Sequence, residues 1–361
     1  MYAKRSKILV VGASGVVGSA FLRNIGSRGD VQAIGLSRRP LASPHQNLKN
    51  LKYDLMDPQL GGSEKKKLES DLHDVTHALY AAYVDHQSEE EILRLNTSLF
   101  LNTTKLITKL CPQLQHITLM QGMKAYGTHL GPHKTPSQER DPRLEKPHFY
   151  YSQEDILKEV AAYNDWGWTV LRPHVVIGPA LRSPMNLAVI IGVYAALCRE
   201  KGQPLMFPGI SEAFYPIYQA TDSGLLARAI EWAGTNSPAN GEIFNITNGD
   251  FFRWCHMWPA IANHFGLQYL GPADSATYSS LQERFRDAQP VWKTIADREK
   301  LLVKELDGLV SWKFGDYVFQ IDWDVMADTL KCRKAGFLEF IDSEGMFLDR
   351  LTELQSMKII P

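Results

Sequence analysis

The chain has 361 residues, of which 44% are hydrophobic and 22% are charged, and its formal net charge at pH 7 is -1. This composition predicts a folded protein with a sizeable hydrophobic core and excludes a disordered chain. The nearly balanced charge and the absence of a long basic stripe in the sequence argue against nucleic acid as the main partner.

The first half of the chain alternates short apolar runs with amphipathic patterns. Short apolar runs predict buried strands, and apolar residues three and four apart predict helices. Strands joined by helices form parallel sheets with right-handed crossovers, so we expect a doubly wound α/β fold. The predicted strands are KILVVG, VQAIGLS, LKYDL, THALYAAY, HITLMQG and WTVLRP, and the predicted helices are Ser14–Ile25, 89–110 and Phe149–Asn164.

The second half is less regular. We therefore predict a doubly wound sheet domain over 1–180, to which part of 215–250 returns, and a smaller, mostly helical substrate or lid domain over 181–361. The segment 270–320 is aromatic and is expected to be irregular. Helices are predicted at about 184–200, 222–234, 252–265, 323–335 and 342–357.

The cysteines are far apart and form no CxxC pair, which predicts reduced thiols in a cytoplasmic protein and no metal site. The first apolar run ends at Gly12 and is interpreted as a strand rather than a signal peptide. No apolar run is long enough to span a bilayer, and LAVIIGVYAALC is interpreted as a buried helix. We therefore expect no membrane partner.

The sequence GASGVVG directly follows the first predicted strand and opens a helix. Gly12, Gly15 and Gly18 have the spacing of a dinucleotide-binding turn, in which a tight bend and a close backbone approach accommodate a pyrophosphate at the helix N-terminus. A plain tight turn is the alternative. The other residues expected to contact the cofactor here are Ser14, Val16 and Val17.

The end of the second strand indicates which dinucleotide is bound. An NAD site has an acidic residue there, whereas this chain has Ser37, Arg38 and Arg39. Guanidinium groups form forked, charge-assisted hydrogen bonds with phosphate, which favours the 2′-phosphate of NADPH. A solvated basic turn is the alternative.

Two further strand ends should meet the same cofactor. Asp54 could accept a hydrogen bond from the adenine amino group, with Leu55 against the ring. Ala81, Ala82 and Tyr83 end the fourth predicted strand, where small residues would let the ribose lie close. Each of these residues could instead be ordinary turn or core structure.

Several stretches together resemble the progesterone 5β-reductase and iridoid synthase family of atypical extended short-chain dehydrogenases. They span most of the chain, and the resemblance implies a Rossmann fold of the extended short-chain dehydrogenase type. They are VVGASGVVG, GLSRRP, LMQGMKAYGTHLGP, HFYYSQEDIL, LRPHVVIGPALRSPMNLAV and FNITNGDFFRW.

The resemblance also assigns the catalytic pair. In this family the lysine comes from a Gly-x-Lys-x-Tyr loop after the fifth strand, which implies Lys124, and the tyrosine is the first of the pair in HFYYSQEDIL, which implies Tyr150. Adjacent helical residues point about 100° apart, so Tyr151 cannot face the same carbonyl and is expected to pack. Ordinary short-chain dehydrogenases keep their lysine four residues after the tyrosine, where this chain has Glu154 and Asp155; a carboxylate cannot take that role, because it would raise the tyrosine pKa.

The chain departs from the family pattern at His148, where asparagine is common, and at Ala125 and Lys313. These departures resemble microbial members more than plant steroid reductases and leave the substrate open.

The implied reaction is NADPH-dependent 1,4-reduction of a small apolar enone or enal. Tyr150 would donate to the developing enolate oxygen, and Lys124 would add a positive field. Further residues expected at the cofactor are Gln121, Pro173, Val176, Ser183 and Met185. An apolar substrate pocket is expected from Phe149, Tyr194, Phe314 and Tyr317, with core packing as the alternative for each.

The sequence alone does not exclude other functions of proteins with this fold. A carbonyl (1,2-) reductase or a sugar-nucleotide epimerase would use the same fold, and so would a non-catalytic NADPH sensor. The sequence does not determine the oligomeric state, and a homodimer is one state that it allows.

Overall fold

The structure is a computed structural model that describes residues 6–26, 28–38, 47–57, 62–181, 183–274 and 277–361. The strands are β1 (Lys7–Val11), β2 (Gln32–Ser37), β3 (Leu48–Lys52), β4 (His77–Tyr80), β5 (His116–Met120), β6 (Gly167–Pro173), β7 (Val176–Ile177), β8 (Leu205–Phe207), β9 (Thr221–Asp222), β10 (Glu242–Ile246) and β11 (Tyr269–Pro272). The helices are α1 (Val16–Gly26), α2 (Gly62–Leu72), α3 (Glu89–Leu110), α4 (Phe149–Ala162), α5 (Leu187–Glu200), α6 (Ser223–Thr235), α7 (Trp254–His264), α8 (Leu281–Arg284), α9 (Gln289–Glu299), α10 (Trp312–Phe319), α11 (Leu330–Lys334) and α12 (Ser343–Ser356).

Among the described residues, seven strands form one parallel sheet in the order β3-β2-β1-β4-β5-β6-β10. The strand order reverses at β1, whose Val11 pairs with Leu36 of β2 on one side and with Tyr80 of β4 on the other. This confirms the doubly wound fold. Ligands of such sheets bind beyond the carboxyl ends of the strands at this reversal point.

Alternate residues of β1 belong to different cores. Ile8 and Val10 pack with α1 and α6 on one face of the sheet, while Leu9 and Val11 pack with α2, α3 and α4 on the other. Side chains of a strand alternate between faces, so an uninterrupted apolar run indicates that both faces are covered.

A separate hydrophobic core lies in the second half of the chain, where α5, α7, α9, α10 and α12 pack together. Its largest fully buried side chains include Trp254, Trp258 and Trp292. The apolar run LAVIIGVYAALC forms α5 and is buried throughout, which confirms the buried helix. By contrast, β10 is a strand of the sheet, and α6 packs in the core on one face of it together with Cys332 and Phe337 from the predicted lid segment.

Some predicted elements were wrong. The described part of 270–320 is not irregular but contains α8, α9 and α10. Only Leu330–Lys334 of the predicted helix at 323–335 is helical. The third strand ends at Lys52 rather than extending over LKYDL, and the edge strand β10 had not been predicted as a strand.

None of the helices in the described part of the chain combines the length and the apolar composition that a membrane span requires. The four cysteines are free thiols in the described structure. No cluster of three or more His, Cys, Asp or Glu side chains within the described ranges is arranged to hold a metal ion.

Candidate functional site

The glycine turn lies between the carboxyl ends of β1 and β4. Gly12 has a φ of +86°, and a Cβ atom there would lie 2.6 Å from the backbone of Ala81. A Cβ atom at Gly18 would overlap the carbonyl oxygen of Gly12. Among the described residues, a Cβ atom at Gly15 would meet only that oxygen, at 3.5 Å. The turn therefore needs glycine at two positions for packing and leaves an open approach at the third.

Helix α1 starts at Val16, directly after this open approach, so its first backbone N–H groups point toward it. Ser14 is exposed, and Val16 and Val17 are half-buried. This geometry fits the pyrophosphate of a dinucleotide, because unpaired N–H groups at a helix N-terminus bind anions.

The end of β2 lies next to the glycine turn, because the Gly12 N–H donates to the Leu36 carbonyl at 3.3 Å. Ser37 is half-buried, and the Arg38 side chain is exposed beyond it. Arg39 lies outside the described residues. The Arg38 guanidinium is therefore accessible beyond the carboxyl end of β2.

Asp54 and Leu55, which follow β3, have different environments. One Asp54 carboxylate oxygen accepts a hydrogen bond from the Met56 N–H at 2.9 Å, although the side chain remains exposed. Leu55 is 6% exposed and packs in the core with Leu36 and Phe100. This packing favours the core alternative for Leu55, and its contact with adenine stays a prediction.

The end of β4 lies against the glycine turn. Ala81 and Ala82 are half-buried, and the Ala81 backbone contacts Gly12. The Tyr83 ring packs 5.8 Å from the Phe149 ring, and its hydroxyl donates to Asp85 at 3.1 Å. Burial, together with the Asp85 charge, raises the pKa of the Tyr83 hydroxyl. Tyr83 thus borders both the strand ends and the pocket described below.

The predicted lysine lies in a 3-10 turn, Met123–Tyr126, just beyond β5. Lys124 Nζ lies 5.6 Å from the centroid of the Tyr317 ring. It has no carboxylate of the described residues within ion-pair distance. Burial lowers the pKa of Lys124, while the charges of Asp85 and Glu89 act against this. The ammonium is therefore a partly desolvated charge without a direct partner.

Helix α4 carries both tyrosines, and His148 caps it. The Tyr150 N–H donates to His148 Nδ1 at 3.2 Å, so the His148 side chain acts as the N-cap of the helix. Burial lowers the pKa of His148 to about 3. The ring is thus neutral at pH 7 and carries its proton on Nε2.

The two tyrosine hydroxyls have different environments. The Tyr151 hydroxyl donates to the Ala125 carbonyl at 2.7 Å and accepts from the Leu144 N–H at 3.0 Å. The Tyr150 hydroxyl forms no hydrogen bond with the described residues. A Cβ atom on Gly122 would lie 3.2 Å from it. Burial raises the pKa of Tyr150, and the Arg172 charge opposes this rise. Tyr150 is therefore the tyrosine whose hydroxyl is available to a ligand.

Tyr150 and Lys124 line one pocket of about 280 Å³. His129 and His148 also line it, and an ion pair between Lys146 and Glu89 borders it. The rest of the lining is mainly apolar and includes Ile92, Leu93, Leu144, Phe149, Met185 and Phe314. A pocket with a few polar groups in apolar walls is typical of a small-molecule site.

The predicted pocket residues divide into two groups. Phe149 and Phe314 line the pocket, as does Met185, which was predicted at the cofactor. Tyr317 lies beside Lys124, and burial raises the pKa of its hydroxyl to about 12. Tyr194 does not line this pocket: its side chain is buried in the second core and its hydroxyl donates to the Met206 carbonyl at 2.8 Å, which favours the core-packing alternative.

Of the other predicted cofactor residues, Gln121 has a different role. Its amide nitrogen donates to the Tyr150 carbonyl at 2.8 Å, and its amide oxygen accepts from Arg172 at 3.3 Å, while its contact with the cofactor stays a prediction. Pro173 is buried at the end of β6, with its carbonyl near Gly122. Val176 in β7 and Ser183 before α5 are half-buried.

Sequence reasoning missed the partners of Glu154. The side chain is 2% exposed and forms ion pairs with Arg172 and Arg143. The position of Glu154 one helical turn after Tyr150 could be read from the sequence. Its two arginine partners could not, because they lie on other elements. His129 was also missed, since a single histidine in a loop carries no sequence signal.

The model of the PRISE-like Rossmann-fold domain matches residues 8–361 of this chain. A 3-oxo-Δ(4,5)-steroid 5β-reductase of Arabidopsis thaliana is 31% identical, with 99% of this chain and 93% of that protein covered. An (S)-8-oxocitronellyl enol synthase of Camptotheca acuminata is 33% identical, with 98% and 93% covered.

Solved structures with the same fold are more distant in sequence. The UDP-glucose 4-epimerase of Thermotoga maritima is 15% identical, with a TM-score of 0.67 over 97% of this chain and 99% of that chain. The Bordetella bronchiseptica enzyme WbmG in complex with NAD is 14% identical, with a TM-score of 0.65 over 99% and 96%. At these identities the likeness shows the fold alone, whereas the family match and the curated relatives extend over nearly the whole chain. The chain therefore belongs to the PRISE-like family of Rossmann-fold oxidoreductases, the progesterone 5β-reductase and iridoid synthase family that its motifs resemble.

Proposed function

We propose that this protein is an NADPH-dependent 1,4-reductase of enones or enals. The observation that carries the proposal is the pairing of a free tyrosine hydroxyl, Tyr150, with an unpaired ammonium group, Lys124, in one pocket. The names of the curated relatives, a steroid 5β-reductase and enol synthases, support the same class of reaction.

NADPH, when bound, would supply the hydride that reduces the β-carbon of the substrate. Tyr150 would donate a hydrogen bond to the carbonyl oxygen, on which negative charge develops. Burial raises the pKa of this hydroxyl, so Tyr150 keeps its proton at neutral pH and acts as a donor rather than a base. Removing one such donor costs roughly 3–4 kcal/mol of transition-state stabilisation.

Lys124 would strengthen this stabilisation through its positive charge. A charge in a partly desolvated site acts more strongly than one in water, and burial lowers the pKa of Lys124 here. An enolate needs only such donors at oxygen, because its carbon can take a proton from water afterwards. This requirement favours 1,4-reduction over reduction of the carbonyl itself.

The cofactor would lie across the glycine turn, with its pyrophosphate at the start of α1 and its 2′-phosphate at Arg38. The open approach at Gly15 and the exposed Arg38 side chain support this placement. The WbmG complex with NAD supports a nicotinamide dinucleotide in this fold, while the choice of NADPH rests on the arginines.

The substrate would be small and mainly apolar, because the pocket has a volume of about 280 Å³ and mostly apolar walls. We also propose a cytoplasmic location, in keeping with free cysteines that are mostly buried thiols.

The deciding experiment incubates the protein with small and bulky enones and with NADPH deuterated at the transferable position. We expect a saturated ketone or aldehyde with deuterium on the β-carbon. Deuterium on the carbinol carbon of an allylic alcohol would instead indicate carbonyl reduction. NADPH binding without turnover of any enone would indicate a sensor.

A further inference from the structure

Glu154 occupies the position on α4 where ordinary short-chain dehydrogenases keep their lysine, four residues after Tyr150. Its side chain is 2% exposed, and one carboxylate oxygen accepts a hydrogen bond from Arg172 at 2.5 Å. The other oxygen accepts from Arg143 at 2.9 Å. A buried carboxylate is tolerated only with such complete pairing, because its desolvation is costly.

Arg172 in turn contacts the loop that carries Lys124. Its Nε donates to the Gln121 amide oxygen at 3.3 Å, and its guanidinium lies 4.9 Å from the centroid of the Tyr126 ring. Gln121 leads into that loop, and Tyr126 ends its 3-10 turn. The Gln121 amide also donates to the Tyr150 carbonyl at 2.8 Å. Arg172 therefore joins the lysine loop to the tyrosine helix.

We propose that Glu154 is a positioning residue that fixes Arg172 between the Lys124 loop and α4, and thereby sets the relative placement of the two catalytic side chains. This inference rests on the proposed function. In ordinary short-chain dehydrogenases, the tyrosine and the lysine of the Tyr-x-x-x-Lys motif lie one turn apart on the same helix, so the helix itself fixes the distance between them. Here the lysine comes from a separate loop, and the buried Glu154–Arg172 pair supplies the missing connection.

The charges of this arrangement are compatible with Tyr150 as a donor. The Glu154 carboxylate is neutralised by two guanidinium groups. Burial raises the pKa of the Tyr150 hydroxyl, the Arg172 charge opposes this rise, and Tyr317 adds to it.

The test compares Glu154→Gln with Asp155→Asn. Asp155 is the neighbouring acid and pairs with the same Arg143 at 2.8 Å, but it is 63% exposed and makes no contact with Arg172. For Glu154→Gln we expect kcat per NADPH-binding site to fall about 10- to 100-fold, since a displacement of about 1 Å can cost roughly 100-fold. The NADPH Kd and the enone KM should change less than about threefold, because neither Glu154 nor Arg172 lines the pocket. Asp155→Asn should keep kcat within about twofold.

A second variant separates positioning from folding. Glu154→Met with Arg172→Met replaces the ion pair by apolar side chains, which often preserves stability. We expect this double variant to unfold at a temperature close to that of the unchanged protein and to retain the low kcat per site. Full kcat per site in the double variant, or unchanged kcat in Glu154→Gln, would overturn the inference.

A measurement without substrate keeps this inference separate from the proposed function. In protein labelled with ¹³C at tyrosine Cζ, the Tyr150 and Tyr126 signals, assigned from Tyr→Phe variants, should shift in Glu154→Gln and not in Asp155→Asn. Unchanged signals in Glu154→Gln would refute the positioning role. If the unchanged protein reduces no enone while Glu154→Gln still shows these shifts, only the proposed function is refuted.

Discussion

The Tyr151 hydroxyl donates a hydrogen bond of 2.7 Å to the backbone carbonyl of Ala125, the residue next to Lys124. The second tyrosine of the pair thus holds the lysine loop against α4, while the hydroxyl of Tyr150 remains available in the pocket. Adjacent residues of a helix point about 100° apart, which is why the two neighbours have separate tasks.

This difference predicts distinct effects of removing each hydroxyl. Tyr150→Phe should lower kcat about 10²- to 10³-fold with NADPH binding retained, as for loss of an oxyanion donor. Tyr151→Phe leaves a buried carbonyl and an N–H without their partner, so it should lower the free energy of unfolding by about 1–3 kcal/mol and reduce kcat less. Turnover kinetics and urea unfolding of both variants provide the test, and the reverse order of kcat effects would contradict the assignment.

Lys124→Met should slow turnover about 10- to 100-fold, because it removes the positive charge near the developing oxyanion. The matched control is Lys313→Met, since Lys313 is exposed on α10 and outside the pocket lining. Steady-state kinetics and NADPH titration of both variants separate lost catalysis from weaker cofactor binding. An unchanged rate in Lys124→Met would mean that the lysine takes no part.

Gly122→Ala should displace the Tyr150 hydroxyl. The added methyl group would lie 3.2 Å from that oxygen and 3.3 Å from the Pro173 carbonyl oxygen, both closer than ordinary contact. We expect kcat to fall by about tenfold or more with the NADPH Kd nearly unchanged. Gly29→Ala is the control, because an added Cβ there meets no described atom within 4 Å. Equal kcat in both variants would argue against close packing at Gly122.

The prediction about the cofactor concerns the two arginines that follow β2. Arg38→Ala with Arg39→Ala should weaken NADPH binding by about tenfold or more, since hydrogen bonds between charged groups are worth about 1.5–3 kcal/mol. NADH lacks the 2′-phosphate and should bind nearly as before. Calorimetric titration with both cofactors tests this, and equal affinity of the unchanged protein for NADH and NADPH would refute the 2′-phosphate assignment.

Buried neutral histidines predict a loss of stability in acid. Burial lowers the pKa of His116 to about 3, whereas a histidine in the unfolded chain titrates near 6.5. Between these values the unfolded chain binds the proton and the folded protein does not, so stability falls as the pH decreases below about 6.5. Each such proton contributes a slope of up to about 1.4 kcal/mol per pH unit. Urea unfolding from pH 7.5 to 5 should show this decline, with a smaller slope in His116→Gln; equal slopes would contradict the shifted pKa.

Much of the sheet follows from local patterns. Each of these patterns lies within one continuous segment of the chain: the apolar run of β1, the glycine spacing at Gly12 and the helical period of Glu89–Leu110. Short elements such as α9 and β10 were missed, because their bounds depend on packing against distant segments rather than on their own period.

The sequence by itself indicated the doubly wound sheet and the glycine turn, and the family motifs predicted the Tyr150 and Lys124 pair. Only the tertiary structure decided which side chains face the site. It buried Leu55 and Tyr194, left the Tyr150 hydroxyl free, and paired Glu154 with Arg172. The physical reason is that burial and hydrogen-bond partners depend on residues far apart in the chain, as for Tyr194 and Arg284, which bond across 90 positions.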